Sequence, residues 1–92
     1  MKTCCIIVSG KVQGVWFRKH THEKAQQLNI GGTVENQPNG NVKIIATGTD
    51  SQLEELITWC KHGPPRAEVL SVRVEPLETI PFPDFRIIRH FL

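Results

Sequence analysis

The stretch Gln37-Pro38-Asn39-Gly40 does most to limit how this chain can fold. Proline presets one φ angle and Asn-Gly accepts the positive φ of a tight turn, so the flanking β-branched runs are directed into a hairpin. Those runs are residues 30–36 (IGGTVEN) and 41–47 (NVKIIAT). Gly31 and Gly32 weaken the start of the first, because glycine offers a strand nothing to pack. With a hairpin in the middle, each flank reads as one helix and one further strand.

On the N-terminal flank, residues 3–12 (TCCIIVSGKV) are β-branched and apolar and predict a strand, followed by a loop over Gln13–Phe17. Residues 18–28 turn to polar helix formers, with Phe17, Thr21, Ala25 and Leu28 at helical spacing and Asn29 as a stop. On the C-terminal flank, Gly48-Thr49-Asp50-Ser51 ends the hairpin and offers helix caps. Thr49 with Gln52, or Ser51 with Glu54, fits a capping box. Leu53, Leu56, Ile57 and Cys60 repeat at helical spacing through about residue 61, and Gly63-Pro64-Pro65 terminates that helix. Residues 68–75 alternate, with Leu70, Val72 and Val74 predicted inward and Ser71, Arg73 and Glu75 outward, as in a half-buried antiparallel strand. After Pro81 and Pro83, residues 84–89 (DFRIIR) predict a short last strand with Phe85 and Ile87 inward.

The order β-α-β-β-α-β plus a terminal strand predicts the α+β class. The expected architecture is a ferredoxin-like split βαβ, with two helices packed on one face of an antiparallel sheet. At 92 residues, one domain over 1–92 is expected. Apolar content of 39% with 22% charged residues fits a folded chain and excludes a disordered one. No apolar run approaches the roughly 20 residues of a membrane span. Cys4–Val8 is too short for a signal-peptide core, and no small-residue cleavage site follows, so the expected compartment is cytoplasmic. A net charge of +2 gives no reason to expect nucleic acid or a membrane as partner. The three cysteines form no C-x-x-C, and free thiols in a reducing compartment are expected, with a bridge from Cys60 to Cys4 or Cys5 left open.

The chemistry concentrates in GKVQGVWFR, residues 10–18, which joins the first strand to the first helix. Such a junction suits an anion: backbone N–H groups converge, and the helix start adds partial positive charge. Gly14 permits a backbone conformation that a side chain blocks. Arg18 offers a planar guanidinium for phosphate or carboxylate oxygens. The stretch lacks the Gly-Lys-Ser/Thr end of a Walker loop and the spacing of Gly-x-Gly-x-x-Gly, and its shortness suits one phosphate group. The competing reading is a plain turn with Arg18 as a solvated charge.

Other candidates are weaker. His20 and His22 do not share a helix face, so no metal site is expected. Glu54 and Glu55 diverge on a helix. The central strands TCCIIVSG and NVKIIAT carry no aromatic platform for RNA bases.

GKVQGVWFR, followed by KHT, resembles the acylphosphatase signature G-x-V-Q-G-V-x-F-R. GGTVENQPNG at 31–40 resembles that family's second signature, G-x-V-x-N-x-x-x-G, and GPPRAEV at 63–69 with FRI at 85–87 resembles its tail. The similarity spans nearly the whole chain. It implies a hydrolase that cleaves the carboxyl–phosphate bond of small acyl phosphates without cofactor or metal; a monomer is the expected default at this length. It further implies that Arg18 binds phosphate, that Asn36 positions the attacking water, and that Gln13, Gly14, Val15, Trp16 and Phe17 form the phosphate loop. Three positions depart from the pattern: Trp16 fills the variable site, Thr33 stands where an aromatic is common, and Gln37 where threonine is. An anion-binding module without turnover is the alternative, and it gives Asn36 no role.

Overall fold

A computed structural model describes residues 1–90, and all structural statements below concern those residues. The elements run β1 (Lys2–Lys11), α1 (Phe17–Gln27), β2 (Gly31–Asn36), β3 (Val42–Gly48), α2 (Asp50–His62), β4 (Glu68–Leu77) and β5 (Phe85–Ile88). The sheet order is β4-β1-β3-β2-β5. The first four neighbours pair antiparallel, as expected, and β5 adds to β2 in parallel, making the sheet mixed.

Burial follows the two periodicities. Cys4, Ile6 and Val8 of β1, Val42, Ile44 and Ala46 of β3, and Val34 of β2 form one sheet face. Phe17, Thr21 and Ala25 of α1 and Leu53, Leu56 and Cys60 of α2 cover it. Phe17, 1% exposed, packs its ring 5.4 Å from that of Trp59 and so locks the start of α1 to α2. Of the two possible caps, α2 uses Thr49: its hydroxyl accepts from Gln52 N, and Gln52 Oε1 accepts from Thr49 N. The Gln52 amide also donates to Leu28 O at 2.8 Å, which ties the end of α1 to the start of α2.

The glycines that weakened the β2 prediction have a packing reason. At Gly32 (φ +149°) a Cβ would lie 1.8 Å from Ile45 O, so only glycine lets the β2 and β3 backbones meet there.

The inward expectations at β4 are met only in part: Val72 packs against the core, whereas Val74 on this edge strand is 42% exposed. Leu70 was expected inward but is 84% exposed. The β1–β4 register shifts between Ser9 and Gly10, with Ser9 opposite Ser71 and Gly10 opposite Val69. Leu70 is the extra residue of that bulge, so the period of two breaks and Val69 takes the inward place.

All three cysteines are free and buried. Burial, with Cys4 nearby, pushes the Cys60 thiol up to about 12, so it is a small apolar core group and not a nucleophile.

Candidate functional site

The β1–α1 loop and the end of β2 meet at one corner of the sheet. The loop is shaped by hand changes in its backbone: Gly14 (φ 74°) and Trp16 (φ 66°) are left-handed, while Val15 between them is not. Such alternation turns successive N–H groups toward one side. A left-handed tryptophan costs about 1 kcal/mol or more and persists only where neighbours hold it. Here they do, because Val15 and Phe17 are both buried.

Trp16 is also the N-cap residue of α1. Unlike α2, this helix has no side-chain cap. Its first internal bond is His20 N to Trp16 O at 3.1 Å. The N–H groups of Phe17, Arg18 and Lys19 therefore have no partner within the helix, and they point out of its positive end. That end opens into a cleft of about 340 Å³.

Val12, Gly14, Trp16, Phe17, Arg18 and Lys19 line the cleft on the loop and helix side. Asn36, Ile87 and Arg89 line it on the strand side. The structure thus brings together Arg18 and Asn36, which the sequence separates by a helix and a strand. Gly14, Trp16 and Phe17 border the same space. Val15 is turned into the core and anchors the loop.

Gln13 takes a different position. Its Nε2 donates to Gln37 O and to Asn41 O, both at 2.8 Å. One side-chain amide therefore bolts the loop to the hairpin turn that follows Asn36. That turn is itself closed by Gln37 N to Asn41 O at 2.8 Å and by Asn41 N to Asn39 Oδ1 at 3.0 Å. The two halves of the cleft are held as one unit.

The electrostatics are one-sided. Arg18, Lys19 and Arg89 are the charged residues of the lining, and no carboxylate is among them. Arg18 is half-buried and forms no ion pair with any described residue. Lys19 lies 5.7 Å from the centre of the exposed Trp16 ring, which holds the ammonium at the lip. On the opposite wall, the Oδ1 of Asn36 is buried without a hydrogen-bond partner among the described residues. A buried acceptor left unmatched costs free energy, and this one belongs to a residue that lines the cationic cleft.

Lys19, Ile87 and Arg89 were not anticipated from sequence. Lys19 follows Arg18 directly and was legible in principle from the helix start. Arg89 was not, because its place depends on the parallel pairing of β5. Among the described residues no three of His, Cys, Asp and Glu gather as a metal site, and no helix is long and apolar enough to cross a membrane.

Residues 4–87 match the family model described as acylphosphatase. The chain is 38% identical to an acylphosphatase of Methylococcus capsulatus over 97% of this chain and 98% of that protein. It is 48% identical to one of Marinobacter nauticus over 88% and 89%. Its structure is similar to that of an acylphosphatase from Coxiella burnetii, with a TM-score of 0.92, 37% identity, and coverage of 95% of this chain and 92% of that one.

Proposed function

The chain belongs to the acylphosphatase family and hydrolyses acyl phosphates, and from that premise we propose that the cleft at the start of α1 is where it does so. Arg18 and the free N–H groups of the loop and first helical turn receive the phosphoryl oxygens. Asn36 holds the attacking water. The observation that carries this reading is the placement of Arg18 and Asn36 on one cleft whose charged lining residues are all cationic.

The chemistry needs little else. Water oxygen forms a bond to phosphorus as the bond from phosphorus to the acyl oxygen breaks. The leaving carboxylate takes the electron pair and is stable near neutral pH, so no general acid is required. The water proton passes to a phosphoryl oxygen, giving inorganic phosphate. The transition state is loose, with little bonding to the nucleophile, so a strong base adds little. What remains is placement of water and stabilisation of charge on the phosphoryl oxygens. Asn36 serves the first, and Arg18 with the backbone amides serves the second. No metal or organic cofactor enters this scheme. The protein works as a cytoplasmic monomer of one domain, acting on a small molecule and on neither nucleic acid nor membrane.

Hydrolysis of benzoyl phosphate in excess chelator, with phenyl phosphate as the monoester control, tests the reading. Undiminished turnover of the acyl phosphate alone is expected. Loss of activity on chelation, restored by a divalent cation, would refute the metal-independent route.

Gln13→Leu probes the bolt between the two walls. Leucine fills a similar volume but donates neither bond to Gln37 O or Asn41 O. We expect kcat/KM to fall about tenfold to a hundredfold, the range attached to small misplacements of reacting groups. Near-wild-type kinetics in a variant that melts normally would mean that the loop and the turn keep their spacing without Gln13.

A further inference from the structure

We propose that Arg89 is a specificity-determining residue that receives a second negative charge carried on the acyl group of the substrate. The inference starts from topology. Because β5 runs parallel to β2, both strands end at the same corner, and Glu35 pairs with Ile88. Arg89 is therefore the next residue beside Asn36.

The period of two does the rest. Phe85 is buried in the core, Ile87 pairs with Val34 and forms part of the cleft wall, and Arg89 continues that side at the rim. On the alternate side, His90 Nε2 contacts Glu35 Oε2 at 2.7 Å and fixes the segment to β2.

Charge then separates Arg89 from its neighbours. Arg86 is held by Asp84 at 2.9 Å, and His90 is held by Glu35. Arg89 forms no ion pair with any described residue. Glu35, the acid beside it on β2, is already engaged by His90.

The phosphoryl group is met by Arg18 and the amides at the α1 end of the cleft. Ile87 and Arg89 line the strand side of the same cleft, so an acyl group extending along that side meets an apolar side chain and a cation. The lining so matches an acyl phosphate with a short carbon body and an anionic far end, such as a carboxylate or a second phosphate. The inference rests on the placement of acyl phosphate in this cleft.

The test compares benzoyl phosphate with 4-carboxybenzoyl phosphate in the wild type and in the Arg89→Gln, Arg89→Lys and Arg18→Ala variants. The quantity read is the ratio of kcat/KM for the carboxylated to the plain substrate. Arg89→Gln is expected to lower that ratio about fivefold, the scale of one partly exposed ion pair. Arg89→Lys keeps most of the ratio, and raising the salt narrows it in the wild type. An unmoved ratio in Arg89→Gln, whether both rates fall together or neither does, overturns the inference. Arg18→Ala separates the two levels. If it spares turnover of both substrates, the cleft assignment itself fails; if it removes both while the Arg89→Gln ratio stays put, only the role of Arg89 is lost.

Discussion

Arg18→Ala is expected to lower kcat/KM for benzoyl phosphate by about a thousandfold or more. A guanidinium that meets charge on a transferring phosphoryl group is worth about 10³–10⁵ in rate where it has been removed. The loss should appear in both binding and turnover, because the proposed role sets Arg18 against the phosphoryl oxygens before and during the reaction. Inorganic phosphate, measured by titration calorimetry, should bind far more weakly. Arg18→Lys should recover only part of the activity, since an ammonium is a point charge and lacks the planar fork. The fold should survive. Arg18 is half-buried, pairs with no described carboxylate, and lies in the first turn of α1, beside the buried Phe17 and Val15. The melting curve should match the wild type, because a surface change of this kind shifts stability by about 0.5 kcal/mol or less. Full activity in Arg18→Ala would remove the residue from the mechanism.

That independence of activity from stability follows from how the corner is built. Val15 and Phe17 hold the loop by burial and Gln13 by hydrogen bonds, while the charged groups of Arg18 and Lys19 line the cleft without ion pairs to any described residue. Phe17 and Arg18 are adjacent in the chain and divide these tasks between them. At Gly63 a Cβ would lie 2.8 Å from the Phe17 ring, so the end of α2 is also fitted around this anchor.

The sequence made much of this legible, and the reason is physical. Turn chemistry at Gln37–Gly40, helix spacing at Phe17, Thr21 and Ala25, and the Thr49 cap are local signals, and each appears where expected. The pairing of Arg18 with Asn36 across the chain came from the resemblance of two short signatures, and the structure brings both into one cleft. What was illegible depends on register. Leu70 faces out because a bulge opposite Gly10 adds one residue to β4, and alternation alone cannot reveal a bulge. Arg89 reaches the cleft because β5 joins β2 in parallel, and nothing in DFRIIR states which edge it will join. The place of Gln13 in the loop reading concerns its backbone amide; what spacing did not reveal is that its side chain makes two bonds to the hairpin, 24 and 28 positions away.

Asn36→Ala should separate turnover from binding. We expect kcat to fall about a hundredfold to a thousandfold, as when a single positioned amide is lost from a reacting site, with KM changed by no more than about twofold. Water placement matters only in the reaction, so phosphate affinity should remain. The same variant should be no less stable than the wild type. Its missing Oδ1 is a buried acceptor without a partner among the described residues, and such a group costs about 1–3 kcal/mol. Removing it offsets the packing lost with the side chain. Asn36→Asp distinguishes positioning from base catalysis. A carboxylate is the better base, but it brings a negative charge toward a phosphoryl dianion, so positioning predicts a loss in both KM and kcat. If Asn36→Asp instead matched or exceeded the wild type, proton removal from water would be limiting and the amide role wrong. If Asn36→Ala melted well below the wild type while keeping its turnover, Asn36 would be a structural residue that borders the cleft without serving it.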